Sequence, residues 1–142
     1  AKMVNAVANS VVPKFTIITG NSFGAGNYAM CGKAYDPRLI VSWPWAELAV
    51  MGGTQAAKVL VQIQESALKK QGKRISEEEH QQLMEKITQN YTKQTKSEYS
   101  AARIWVDAII NPLDTRKWIS TGIEAANHSP ITDKFNLGII QV

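Results

Sequence analysis

The sequence predicts an α/β fold, on three observations. A β-branched and apolar run at residues 15–19 enters a glycine-rich turn. Two further apolar runs follow, LIVSWPW at 39–45 and AELAVMGG at 46–53. A long amphipathic helix pattern begins directly after the paired glycines Gly52 and Gly53. Strand, loop, helix, two strands and helix, in that order, imply sheets layered on helices and not a helical bundle.

Each element has a local cause. Val4, Val7, Ala8 and Val11 share one face of a first helix, which Pro13 stops near Val11 or Val12. Asp36, Pro37 and Arg38 make a turn into the second strand, which Pro44 interrupts. Thr54 is the expected N-cap of the helix TQAAKVLVQIQESALKK, with Ala56, Leu60, Ile63 and Ala67 as its apolar stripe and Gly72 beyond its end. Ser76 and Glu79 form a capping-box pair that opens a mostly polar helix, with Leu83, Ile87 and Tyr91 as its stripe. This helix reads as a surface excursion over about residues 69–98, with His80 in solvent. The pattern SEYSAARIWVDAII predicts a further helix carrying Ala102, Trp105, Val106 and Ile109 on one face. Asn111, Pro112 and Leu113 break it, and Asp114 caps a last helix that buries Ile119, Gly122, Ile123 and Ala126. The apolar tail FNLGIIQV is expected to dock on the body or on a neighbouring subunit. The sequence shows no internal repeat.

Composition narrows the function. The chain has 142 residues, 44% apolar and 20% charged, enough for one domain with a core. No apolar run approaches the roughly 20 residues that span a bilayer, and no signal peptide is recognisable. The first residues, Ala1 to Val4, read as helix interior, so the sequence is expected to begin within a longer protein. The net charge of +4 has its densest basic cluster at Lys69, Lys70, Lys73 and Arg74, but Glu77, Glu78 and Glu79 follow at once and no aromatics are interleaved. That alternation is the signature of a helix end meeting a helix start, and it argues against a nucleic-acid partner. The single cysteine, Cys31, excludes an internal disulfide and fits a reducing compartment. With only His80 and His128 in the chain, it reads as a packing residue before a nucleophile. No cluster of ligands at metal-binding spacing is present, and the sequons at Asn90 and Asn127 are treated as chance.

The chemistry-bearing stretch is IITGNSFGAGNYAMCGKAY at 17–35. Glycines at 24 and 26 leave consecutive amides open to an anionic oxygen, and a helix start adds partial positive charge. Two readings stand at this point: an oxyanion hole, or a turn that requires positive φ.

Three motifs, GNSFGAGNYAMCGKAYDPRLIVSWPWAELAVMGGTQAAKVL, YSAARIWVDAIINPLDTR and the terminal GII, carry a resemblance across essentially the whole chain. It resembles the carboxyltransferase (β) subunits of biotin-dependent acyl-CoA carboxylases, above all the methylcrotonyl-CoA carboxylase kind. Family subunits are several times longer and have two related halves. The resemblance places this chain in the last part of the second half, the C-terminal portion of the carboxyltransferase C-domain.

The resemblance implies a crotonase-like fold of repeated strand-strand-helix units, here with additional helices. It also implies transfer of a carboxyl group from carboxybiotin to an acyl-CoA, with 3-methylcrotonyl-CoA the expected acceptor. The biotin is carried by a partner biotin carboxylase/carrier subunit or domain. The active site lies across a homo-oligomeric dimer interface, with the biotin side on this chain. By the family motif the amides of Ala25 and Gly26 are the catalytic oxyanion donors. Phe23, Gly24, Asn27 and Tyr28 surround biotin, with loop fixing as the competing role of Asn27 and Tyr28 and core filling that of Phe23. Gly52 and Gly53 allow close backbone approach. Asp114 and Arg116 are read as a cap and an intersubunit ion pair, and Trp43, Trp45, Trp105 and Trp118 as core or interface anchors. An acidic residue often stands in the family where this chain has Asn111. No metal, nucleic acid or membrane is expected, and the compartment is the bacterial cytoplasm or, in a eukaryote, the mitochondrial matrix. Two alternatives remain: a biotin-dependent glutaconyl-CoA decarboxylase subunit, and a non-catalytic binding or oligomerisation module when the fragment stands alone.

Overall fold

The structure, a computed structural model, describes residues 2–70, 72 and 76–129. The tail FNLGIIQV and its expected docking lie outside these residues. Chain order is α1 (Lys2–Asn9), β1 (Phe15–Ile18), β2 (Asn21–Phe23), α2 (Gly24–Ala29), a 3-10 turn (Lys33–Tyr35), β3 (Leu39–Ser42), β4 (Glu47–Ala49), α3 (Gly53–Lys70), α4 (Glu77–Thr95), α5 (Ser97–Ala101), β5 (Ala108–Ile109), a second 3-10 turn (Pro112–Asp114) and α6 (Thr115–Asn127).

Two strands and a helix form a unit that repeats. β1, β2 and α2 make the first unit, and β3, β4 and α3 the second. Each strand pairs in parallel with its counterpart one unit on, Phe15 with Leu39 and Asn21 with Glu47. β5 extends the first sheet to the order β1-β3-β5. The ladder continues through the turns, where the Trp43 amide donates to the Ile18 carbonyl and the Glu47 amide to that of Gly20. The central strand β3 is covered on both faces, and Leu39, Ile40 and Val41 accordingly make a continuous apolar run. Ile40 and Val41 are fully buried, each stabilising by about 1.5–3 kcal/mol. Ile18, Ile40, Ala46, Leu48 and Val106 form the core, with Ala101 against it.

α3 and α4 form an antiparallel hairpin. Gly53 at the start of α3 lies beside Tyr91 and Thr92 near the end of α4, and His80 at the start of α4 faces Glu65, Nε2 to Oε1 3.6 Å. The Ser76–Glu79 capping box is present with both of its bonds.

Several local expectations are corrected. α1 ends at Asn9, earlier than Pro13 requires, because Lys14 folds back and its Nζ donates to the carbonyls of Val7 and Ser10. The turn after β1 holds a short strand, β2. α3 starts at Gly53, so Thr54 lies within the first turn, and the buried positions are Ala56, Ala57 and Val61, while Leu60 and Ile63 are exposed. Hairpin packing sets that face, one position away from the stripe with the strongest periodicity.

Residues 97–110 are not one helix. α5 stops at Ala101, Ile104 turns the chain at φ 60°, and residues 108–109 join β3 as a strand. Ladder bonds from the amides of Asp107 and Ile110 to the carbonyls of Ile40 and Ser42 override the helical pattern. Asp114 makes no side-chain cap. Asn111 instead caps the 3-10 turn before it, its Oδ1 accepting the Leu113 amide. α6 buries no residue fully, and Ile123 is exposed.

Candidate active site

β2 and β4 run in parallel, and the segments leaving their carboxyl ends, at Gly24 and at Val50, both line one cavity of about 460 Å³. Openings of parallel sheets at that end are where α/β folds hold ligands. Ile40, Leu48 and Ala49 supply an apolar wall. Tyr91 and Gln94 reach in from α4, Tyr99 from α5 and Trp105 from the turn beyond it. Asn27, Tyr28, Lys33 and Ala34 close the side next to α2.

Gly24 holds the key bend. Its φ is +53°, and a Cβ there would stand 2.8 Å from the Val50 carbonyl oxygen. Only glycine lets the strand turn straight into a helix against β4's exit. α2 therefore begins at Gly24, with extended Phe23 as its N-cap and no side chain capping it. Ala25 and Gly26 occupy the second and third helical positions, whose amides have no intrahelical acceptor. Both residues are exposed, and the space beside Gly26 is open to 4 Å.

The six residues expected at the site thus divide. Gly24, Asn27 and Tyr28 line the cavity, Ala25 and Gly26 form the adjoining first turn, and Phe23 points elsewhere. Its ring lies against Gly52, where an added Cβ would still stand in ordinary contact with it, 3.7 Å away. Asn27 is tied into the loop: its Nδ2 donates 2.9 Å to Ser22 Oγ, its carbonyl accepts the Gly32 amide at 2.8 Å, and its side-chain oxygen fills the space where a Cβ on Gly32 would stand. Tyr28 packs edge-on against Tyr35 at 6.0 Å. Cys31 is buried behind α2, its thiol 3.7 Å from the Tyr35 carbonyl, as a packing residue would be.

The sequence reading missed several lining residues. Tyr91 was absorbed into a packing stripe and Trp105 into an expected helix face, while Lys33, Gln94 and Tyr99 carried no local signal. Trp105 stacks edge-on with Tyr99, over which the Arg103 guanidinium lies 3.3 Å from the ring centroid. Trp43 and Trp45 are anchored inside the chain, through Thr115 Oγ1 and the Thr19 carbonyl. Among the described residues no three His, Cys, Asp or Glu side chains group as a metal site, and no helix is long and apolar enough to cross a membrane.

Stacked parallel strand pairs that open at their carboxyl ends onto an uncapped helix turn define a protein of the crotonase-like α/β class. The chain belongs to the carboxyl transferase domain family, whose model matches residues 1–137. The mitochondrial methylcrotonoyl-CoA carboxylase beta chain of Arabidopsis thaliana is 49% identical over 133 residues, 94% of this chain and 23% of that protein. The biotin-dependent 3-methylcrotonyl-coenzyme A carboxylase beta1 subunit of Mycobacterium tuberculosis is 42% identical over 142 residues, 100% of this chain and 27% of that protein. Among solved structures, the beta subunit of P. aeruginosa geranyl-CoA carboxylase matches with a TM-score of 0.79 and 36% identity, over 96% of this chain and 26% of that one. The chain spans about a quarter of the length of the relatives it matches.

Proposed function

We propose that this chain is the C-terminal portion of the C-domain of a carboxyltransferase subunit, forming the biotin side of an active site that transfers a carboxyl group to an acyl-CoA. By its relatives' names, the acceptor is 3-methylcrotonyl-CoA. The observation that carries this reading is the first turn of α2. Ala25 and Gly26 present amides without helical acceptors beside a cavity walled by Tyr28, Tyr91, Tyr99 and Trp105.

The aromatic and apolar wall suits the hydrocarbon and thioether part of biotin's bent bicycle, with Gly24, Asn27 and Tyr28 as the residues that would hold it. Bound carboxybiotin would supply the carboxyl group, and its ureido nitrogen a base for the acyl-CoA proton. The part of this chain is electrostatic. With carboxybiotin bound, the amides of Ala25 and Gly26 would donate to the oxygen on which negative charge develops, and the partial positive charge of the helix start would add to them. Gly24 fixes the turn, and Asn27 fixes Gly24's helix to Ser22. No acidic or basic side chain is required for that task.

The remainder of the reading follows from the family. Biotin arrives on a partner carrier, the acyl-CoA half comes from the opposing subunit of a homo-oligomer, and the compartment is the mitochondrial matrix or a bacterial cytoplasm. Exposed Trp118, Ile123 and Leu113 offer apolar surface for such contacts.

The test is Ala25→Pro in the full-length subunit. Proline is tolerated in a first helical turn but carries no N–H, so the fold and the assembly should persist. Carboxyl transfer should fall by about two orders of magnitude, the usual cost of one oxyanion donor. Normal turnover in a correctly assembled variant would remove Ala25 from the mechanism.

A further inference from the structure

Lys33 is the one charged side chain among the described residues that line the cavity. Every other lining group is apolar, phenolic, amide or indole. A cation on such a wall is informative, because the same wall could be closed with an apolar residue at no electrostatic cost.

The ammonium is also held in place. Its Nζ lies 3.3 Å from Asp107 Oδ1, and the second oxygen of that carboxylate, Oδ2, accepts the Ile40 amide at 2.9 Å. Asp107 is therefore anchored to the central strand and in turn anchors Lys33. The pair is about two-fifths exposed, so it adds little stability of its own. An ammonium has three donors, and Asp107 engages one of them. Among the described residues nothing else engages the ammonium, so the other two stay available to a ligand.

A fixed cation with free donors, on the rim of an apolar and aromatic cavity, suits a ligand with an anionic head and an apolar body. We infer that Lys33, positioned by Asp107, binds the carboxylate that the proposed reaction moves. That carboxylate exists in two places, on the biotin nitrogen before transfer and on the acyl carbon after it. Both present the same chemistry to an ammonium, a charge-assisted N–H···O contact. The inference rests on the carboxyltransferase reading for the identity of the ligand, and on Lys33, Asp107 and the cavity for the site.

The experiment measures binding, so it does not depend on turnover. Full-length subunit is titrated with 3-methylglutaconyl-CoA, the carboxylated thioester, and with 3-methylcrotonyl-CoA, its uncarboxylated parent, following indole emission, to which Trp105 on the cavity wall contributes. Lys33→Met should weaken the carboxylated probe about tenfold, the usual scale of one charged hydrogen bond, and leave the parent within twofold. Lys33→Arg should retain most of the difference. A separate arm follows decarboxylation of free carboxybiotin. If Lys33→Met raises the KM for carboxybiotin at least fivefold, the contact is made on the biotin side as well, and if it does not, the acyl carboxylate is the ligand. Equal affinities of wild type and Lys33→Met for the carboxylated probe, or equal losses for both probes, overturn the inference. A subunit that moves no carboxyl group yet shows the Lys33-dependent discrimination would sink the transferase reading and leave Lys33 as a carboxylate site.

Discussion

Asp107 and Ile40 are bonded to each other twice. The Ile40 amide donates to the Asp107 carboxylate at 2.9 Å, and the Asp107 amide donates to the Ile40 carbonyl at 2.7 Å. A side chain thus completes the ladder where β5 has not yet begun, and it fastens the segment carrying Trp105 to the central strand. Ile40 is 1% exposed, so its amide has no water to turn to. Asp107→Ala should therefore cost about 1–3 kcal/mol, the penalty of an orphaned buried donor. Amide exchange read at Ile40 should quicken by at least about tenfold, and Asp107→Asn, which keeps an acceptor, should fall between. Unchanged protection at Ile40 in the alanine variant would show that the bond contributes nothing.

Gly24 and Gly26 should respond oppositely to alanine. At Gly24 the positive φ costs about 1–2 kcal/mol for an L-residue, before the collision with the Val50 carbonyl is counted. At Gly26 the space is open and the amide survives the change. Gly24→Ala should lower both the melting temperature and transfer activity of the full-length subunit, whereas Gly26→Ala should leave the melting temperature within about 2 °C, as expected of a surface change of under 0.5 kcal/mol. Matching losses of stability at the two positions would mean that α2 does not begin where it is placed.

Two buried serines make a second contrasting pair. Ser97 Oγ lies 2.9 Å from the Trp43 carbonyl and 2.8 Å from that of Ala46, closing the turn between β3 and β4, while Ser42 Oγ is buried with no partner among the described residues. Ser97→Ala should destabilise by about 1–3 kcal/mol and Ser42→Ala by nothing, or stabilise slightly, since it removes an unsatisfied hydroxyl. Denaturant unfolding of the two variants side by side checks this. A larger loss at Ser42 than at Ser97 would reverse the assignment.

Gly122 is the contact point of α6. A Cβ there would lie 3.0 Å from Phe15 Cε1 and 3.5 Å from a Leu39 methyl, on two neighbouring strands. Gly122→Val should cost about 1–3 kcal/mol by overpacking. Limited proteolysis should cut α6 from the variant faster, and equal rates would show that the helix is held by other contacts.

What the sequence disclosed and what it concealed follow the range of the forces involved. β1, β3, β4 and the capping box at Ser76 are local events, fixed by β-branching or by a three-residue reach, and they were legible. The turn at Gly24 was legible because its positive φ calls for glycine. The strand at residues 108–109 was not, since its partner lies in β3, more than sixty residues away, and nothing in VDAII announces a ladder. The buried face of α3 depends on α4, and the cavity on Tyr91, Tyr99 and Lys33 meeting from three separate elements. The unit repeat was expected from the family resemblance and not from the residues themselves: stacking needs only matching strand geometry, and the two units share no residue pattern.

The α3–α4 hairpin separates two kinds of position by distance from its base. At the base, Gly53 meets Tyr91 and Thr92, and Val50, Tyr91 and Gln94 line the cavity. Farther out, beyond the contact of Glu65 with His80, none of the described residues touches it. The outer part is therefore a handle. A fluorophore or an affinity tag attached through Lys69 or Lys70 would sit several helical turns from the chemistry, and would let the subunit be held, tracked or oriented on a surface while the cavity stayed as it is.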